Sequence, residues 1–181
     1  NAETSTHSAL GIALLLACSL LAQTAAAFEA SIERDALGVP HIYGETDADM
    51  ILVGDSLAMV VLGYSDTLSV TVDDMAYHTA AVARAKPKQL IVGDLPWMSY
   101  HVSVEDTVRN AAKLIRAGAG AIKLEGGTRR VPMIAAMVDA QIPVMGHIGL
   151  TPQSMHAMGG FRIQGKSAEA AHFLVDEAKA L

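Results

Sequence analysis

The sequence predicts an α/β fold with a parallel sheet covered by helices, on three observations. Four apolar runs rich in β-branched residues recur, at Met50–Asp55, Gln89–Asp94, Ala121–Glu125 and Pro143–His147. Each is continuously apolar rather than alternating, the pattern of a strand buried on both faces. Helical stretches with recognisable starts and stops separate them, so strand and helix alternate as in βαβ crossovers. Such alternation fits either an open doubly wound sheet or a barrel.

Ahead of that pattern, Ser8–Ala27 is apolar and small, and is expected to form a leader helix. Its core, from Ala9 to Ala22, matches the apolar region of an export signal and is short for a membrane span. Ala25-Ala26-Ala27 offers a small-residue cleavage site, and Leu15-Leu16-Ala17-Cys18 has the look of a lipoprotein cysteine box, but no basic segment precedes the run. Residues 1–27 therefore read as a signal-peptide-like leader, with a buried Ala/Leu helix as the alternative. Residues 28–48 form a second segment. The string Ile32-Glu-Arg-Asp-Ala-Leu-Gly-Val-Pro-His-Ile42 predicts a strand, a turn at Gly38-Val39-Pro40 and another short strand. The same string resembles the start of penicillin-acylase-type N-terminal-nucleophile hydrolases, which are secreted, although it contains none of their catalytic residues.

From residue 49 to 181 the helices can be placed by their ends. Val72–Arg84 follows a Thr71/Asp74 pair spaced as a capping box, and Ser103–Ala117 stops at Gly118. Val131–Ala140 carries Pro132 in its first turn, where a missing N–H costs nothing, and Ser167–Leu181 follows a Gly165-Lys166 loop.

Composition narrows the function classes. Across 181 residues, 13 Lys and Arg stand against 19 Asp and Glu, a net charge of −6, which disfavours a nucleic-acid partner. An apolar fraction of 51% with 18% charged residues is too oily for a disordered chain. The single cysteine, Cys18, excludes an intramolecular disulfide and any multi-cysteine metal site.

Chemistry is expected where the strands end. Each apolar run closes, at its carboxyl end, on a reactive group: Asp55, Asp94, Lys123 with Glu125, and His147. In parallel α/β folds those ends converge on one face, which holds the site. Lys123 and Glu125 are two apart and so point to the same side of a strand; buried there, they need each other or a ligand. Two aspartates at equivalent strand ends suit a hard cation such as Mg²⁺, which takes one or two carboxylates plus waters and an anionic substrate. Taken singly, each residue has an ordinary reading: an Asp after a strand caps the next turn, and a lone His is usually structural. Four successive strand ends in agreement favour a site. His7, His41, His78, His101, His156 and His172 show no metal-ligand spacing.

Long motifs then carry a resemblance. Met50-Ile-Leu-Val-Gly-Asp-Ser-Leu57, Thr71-Val-Asp-Asp-Met-Ala-Tyr-His-Thr79, Val92-Gly-Asp-Leu-Pro-Trp-Met-Ser-Tyr100, Ala121-Ile-Lys-Leu-Glu-Gly-Gly127, Pro143-Val-Met-Gly-His-Ile-Gly-Leu-Thr-Pro-Gln-Ser154 and Gly159-Gly-Phe-Arg-Ile-Gln-Gly-Lys166 resemble the ketopantoate (3-methyl-2-oxobutanoate) hydroxymethyltransferase family. The resemblance implies a (β/α)₈ TIM barrel that binds Mg²⁺ and moves a one-carbon unit from 5,10-methylenetetrahydrofolate to 3-methyl-2-oxobutanoate, giving 2-dehydropantoate for pantothenate synthesis. By the same resemblance Asp55 and Asp94 would be metal ligands, with Glu125 completing the metal site directly or through water. Ser56 and Lys123 would hold the substrate carboxylate, and His147 would hydrogen-bond nearby. It further implies a cytoplasmic homo-oligomer, a decamer in the family, which conflicts with the export-like leader.

Departures are few within the match: Ala58 for a usual glycine, Ser65-Asp66 in inverted order, Ser69 for a proline and Trp97 for a phenylalanine. At its margins they are larger. The family's first strand is expected where the acylase-like segment lies, and the sixth strand, bearing the glutamate proton acceptor, is expected beyond Leu181. The expectation is therefore a partial barrel, about strands two to five with their helices, inactive and aggregation-prone by itself. Two other classes remain: a secreted N-terminal-nucleophile hydrolase fragment, suggested by residues 1–46, and a non-catalytic α/β fragment.

Overall fold

The structure, a computed structural model, describes residues 30–34, 40–44 and 50–181; the expected leader lies outside the described residues. Strands β1 (Ala30–Arg34) and β2 (Pro40–Gly44) pair antiparallel with Ala30 opposite Gly44 and Arg34 opposite Pro40, the two strands expected of this segment; Pro40, expected in the turn, opens β2, and Gly38 and Val39 lie outside the described residues.

The remainder alternates as expected. Strands β3 (Met50–Val53), β4 (Leu90–Asp94), β5 (Ala121–Glu125) and β6 (Val144–His147) form one parallel sheet in that spatial order. Helix α1 (Leu57–Val60) follows β3, and α2 (Val72–Arg84) leads into β4. Helix α3 (Val104–Arg116) joins β4 to β5, and α4 (Val131–Asp139) joins β5 to β6. Beyond β6 come α5 (Met155–Met158) and α6 (Ala168–Ala180). The four-residue helices α1 and α5, and the 3₁₀ turns at Thr128–Arg130 and Pro152–Ser154, were not expected; one turn is too short to show a helical period.

Local chemistry explains the helix ends. Thr71 accepts from the Asp74 amide while the Asp74 carboxylate accepts from the Thr71 amide at 2.9 Å, a complete capping box on α2. Ser103 and Ser167 cap α3 and α6 in the same way, each accepting the amide three residues on. After α3 the chain turns through Gly118 at φ +109°, which an L side chain avoids.

Strand order decides between the two architectures left open by alternation. A doubly wound sheet reverses direction at a switch point and carries helices on both faces. Here the strands advance without reversal, and α2, α3 and α4 pack in one layer, each against its neighbour and the strands beside it. The core lies under that layer: Val53, Ile91, Ile122 and Leu124 from the sheet meet Met75, Leu114 and Met137 from the helices. Each of those large side chains contributes about 1.5–3 kcal/mol by leaving water. Gly93 lets α3 sit close, since a Cβ there would stand 3.3 Å from Leu114. The opposite face carries Leu52 and Leu90, 43% and 48% exposed, and no described helix covers it. A singly wound sheet with helices on one face is the architecture of a TIM-barrel segment, as expected.

Candidate functional site

The sheet brings the strand-end residues together by register. On β4 and β5, Asp94 stands opposite Lys123; on β5 and β6, Glu125 stands opposite His147. Because Lys123 and Glu125 share a face, all four side chains point away from the helices. Asp55 arrives from the turn after β3, and its amide donates to Asp94 Oδ2 at 3.2 Å.

At the centre Lys123 Nζ donates to Asp94 Oδ2 at 2.8 Å and lies 3.4 Å from Glu125 Oε1. His147 Nδ1 lies 3.3 Å from the same Glu125 oxygen, close enough to pair but out of line for a hydrogen bond. Asp55, Asp94, Lys123 and Glu125 are all buried, and His147 is about one-third exposed. Ser56, expected beside them, is not drawn in: it is exposed at the start of α1 and its hydroxyl caps nothing.

Sequence reasoning missed two members. Gln153, from the 3₁₀ turn after β6, donates through Nε2 to Asp55 Oδ2 at 2.8 Å and to the Leu95 carbonyl at 3.0 Å. Its backbone amide donates to Glu125 Oε2 at 3.0 Å. Tyr100, fully buried, donates its hydroxyl to Gln153 Oε1 at 2.6 Å and accepts the Glu125 amide at 3.2 Å. Neither carries a charge or a metal-type spacing that would single it out.

Charge balance gives the cluster its character. Three buried carboxylates face a single buried ammonium, so full ionisation would leave two negative charges uncompensated. Burial accordingly pushes the Asp94 carboxyl up to about 7, against the pull of Lys123 and with the push of Asp55. Burial also raises Asp55, with Lys123 and Gln153 opposing. Burial works against the charge on Lys123, but the Asp94 and Glu125 carboxylates outweigh it and hold the ammonium above its ordinary value. For Glu125, burial is overcome by His147 and Lys123, so the carboxyl stays below the usual range. Beside the cluster, burial and the Arg130 guanidinium drive His101 down to about 4, so it is neutral at ordinary pH.

Two features fit a divalent cation. Asp94 Oδ1 is buried without any hydrogen-bond partner, an expensive state unless something else meets it. The two uncompensated charges match one dication, and two carboxylates are a usual Mg²⁺ complement. Among the described residues no three His, Cys, Asp or Glu side chains gather around one point; Asp55 and Asp94, joined through the Asp55 amide, are the carboxylate pair that could hold an ion. Glu125, expected to complete the metal site, does not join them directly; its oxygens are turned to Lys123, His147 and the Gln153 amide. Alongside lies a cavity of about 220 Å³ walled by Gly126, Ile148, Met158, Phe173 and Leu174, with Glu177 at its edge.

The arrangement can bind a metal-chelated anion: carboxylates for the ion, an ammonium for the anion's residual charge, and a buried setting that strengthens both. Comparison with known proteins shows the family. Residues 37–181 match the family model described as ketopantoate hydroxymethyltransferase, a match that begins inside the segment expected to be acylase-like. The chain is 61% identical over 137 residues to a 3-methyl-2-oxobutanoate hydroxymethyltransferase of Ignicoccus hospitalis, covering 76% of this chain and 52% of the relative. It is 58% identical over 138 residues to that of Syntrophomonas wolfei, covering 76% and 50%. With that of Clostridium botulinum it shares 58% identity over 139 residues, again 76% and 50%. The chain spans about half the length of the curated relatives it matches.

Proposed function

The chain belongs to the ketopantoate hydroxymethyltransferase family, and from that premise we propose that its buried cluster is the metal and substrate half of a 3-methyl-2-oxobutanoate hydroxymethyltransferase site. The reaction proposed for the whole protein transfers a one-carbon unit from 5,10-methylenetetrahydrofolate to 3-methyl-2-oxobutanoate, yielding 2-dehydropantoate. The observation that carries this reading is the partnerless, buried Asp94 Oδ1 beside Asp55 and within a cluster short of positive charge.

In this reading Asp55 and Asp94 hold Mg²⁺. When bound, the ion would supply Lewis acidity that makes the C3–H of the substrate easier to ionise. Lys123 Nζ, fixed between Asp94 and Glu125, offers its charge to the substrate carboxylate. Glu125 keeps that ammonium in place and influences the ion through the surrounding water. His147, pulled toward Glu125, presents its partly exposed ring to the substrate side, and Ser56 offers its free hydroxyl at the rim. The residues named here bind and orient; proton abstraction is assigned to none of them. The apolar cavity beside Gly126 is offered to the folate, whose ring system needs a wall of this kind. For the whole protein we place the reaction in the cytoplasm and in a homo-oligomer. The exposed Val60 and Val61 of the α1 region are the type of surface an assembly covers.

Calorimetric titration with 3-methyl-2-oxobutanoate tests the reading. Binding is expected with Mg²⁺, lost in chelator, and lost again in Asp94→Ala. Equal binding with and without the metal, or an unaffected Asp94→Ala, refutes it.

A further inference from the structure

We propose that Gln153 is a positioning residue for the metal site, aiming the Asp55 carboxylate, and that Tyr100 fixes the direction in which Gln153 works. The proposal rests on the metal reading above and adds to it a residue that touches neither the ion nor the substrate.

The geometry leaves Gln153 one orientation. A carboxamide has a donor end and an acceptor end, and the two are set by their neighbours. The Leu95 carbonyl can only accept, so the group 3.0 Å from it is Nε2. At the other end the Tyr100 hydroxyl already accepts the Glu125 amide at 3.2 Å, so its proton goes to Gln153 Oε1 at 2.6 Å. Both ends agree, and the remaining Nε2 proton is directed at Asp55 Oδ2, 2.8 Å away. One Asp55 oxygen is thereby occupied by a neutral donor, and the other is left for a cation. The backbone amide of the same residue donates to Glu125 Oε2 at 3.0 Å, which turns Glu125 Oε1 toward Lys123. Lys123 in turn occupies Asp94 Oδ2 and leaves Asp94 Oδ1 open. One buried turn residue thus orients both ends of the cluster, and all of these contacts are buried, where each hydrogen bond is stronger than in water.

Groups behind metal ligands typically change metal affinity 10–100-fold when removed. Gln153→Met keeps the length and backbone amide while deleting donor and acceptor, and Tyr100→Phe deletes only the hydroxyl that orients the amide. Mn²⁺ is the probe, titrated into the folded protein by water-proton relaxation, with melting temperature recorded alongside. Leu114→Ala, a core truncation in α3 on the helix side of the sheet and without a polar contact to the cluster, serves as the control for a purely structural loss. The expected result is a dissociation constant raised about tenfold in Gln153→Met and about threefold in Tyr100→Phe, with Leu114→Ala melting earlier but binding as the parent does. Should Gln153→Met fail to fold, Tyr100→Phe decides alone. Parental affinity in the folded variants, with the parent binding normally, overturns the positioning role and leaves the metal reading intact. A parent that binds no Mn²⁺ overturns both.

Discussion

Lys123→Met exposes the energetics of the cluster most directly, because it keeps the buried stem and removes the ammonium. At an effective dielectric of about 20, a charge pair at the 2.8 Å separation from Asp94 is worth about 6 kcal/mol, and the 3.4 Å approach to Glu125 about 5 kcal/mol. Desolvation of the ammonium offsets most of that, and breaking a buried pair from one side leaves a net loss of about 3–5 kcal/mol. The pH dependence is more diagnostic than the size. Asp94 has a folded value near 7 against 3.8 unfolded, so the folded state holds the extra proton between those limits. Its contribution to stability is greatest below the window and falls by about 1.4 kcal/mol per pH unit through it, flattening above about 7. Without Lys123 the folded value rises further, so the decline continues into alkaline solution where the parent has levelled off. Urea unfolding in chelator from about pH 6 to about pH 9 should show the gap between parent and variant widening above about pH 7, by more than about 1 kcal/mol. A gap that is constant over that range, or smaller than about 1 kcal/mol near pH 8, would refute the account of a buried cluster short of positive charge.

Two further perturbations test the scaffold. Thr71→Ala removes the side-chain half of the α2 capping box and should cost about 1 kcal/mol in unfolding experiments, with Mn²⁺ affinity unchanged because Thr71 lies on the solvent side. Gly118→Ala demands a side chain at φ +109° with its Cβ 2.4 Å from that of Ala83, and should cost about 2–4 kcal/mol by urea unfolding. Adding Ala83→Gly should return only the part due to the clash.

Much of the fold was legible because each level of pattern agreed with the next. The run Ala121–Glu125 is observed with those limits and buried at every position, with Ile122 and Leu124 in the core under the helices and Lys123 and Glu125 turned to the other face, where they pair with each other. Helix α2 is observed from Val72 to Arg84 because its capping residues are local in sequence. The choice between barrel segment and doubly wound sheet was not legible from alternation, because both use the same local units. It depends on which strand lies beside which, a long-range fact that only the long motif resemblance pointed to. Similarly, Asp55, Asp94, Lys123, Glu125 and His147 could be picked out as strand ends, whereas the division of labour among them could not. Glu125 was expected at the metal directly or through water; that its oxygens are committed to Lys123 and the Gln153 amide depends on where the turn after β6 folds back.

That turn shows why the site's neutral members escape sequence reading. Charged residues at strand ends are conspicuous because burying them is costly and needs a reason. Gln153 gives no such signal: it sits in a three-residue 3₁₀ turn, where glutamine is ordinary, and its partner Asp55 is 98 residues away. Tyr100 looks like core and is core, fully buried, with the His101 ring tilted against it at 4.2 Å and Arg130 5.3 Å above its ring. Only the hydroxyl distinguishes it from a packing aromatic, and a buried hydroxyl must be paired. The loop carrying it is held by Ser99, whose hydroxyl donates to the Pro96 carbonyl at 2.6 Å and whose own carbonyl accepts from Asn110 of α3 at 2.7 Å. The precision of the Asp55 carboxylate therefore traces back through Gln153 and Tyr100 to a loop pinned on the helix layer. A site built this way inherits its rigidity from the fold, because every polar contact from Pro96 to Asp55 is buried and only the bond from Asn110 is partly open to solvent.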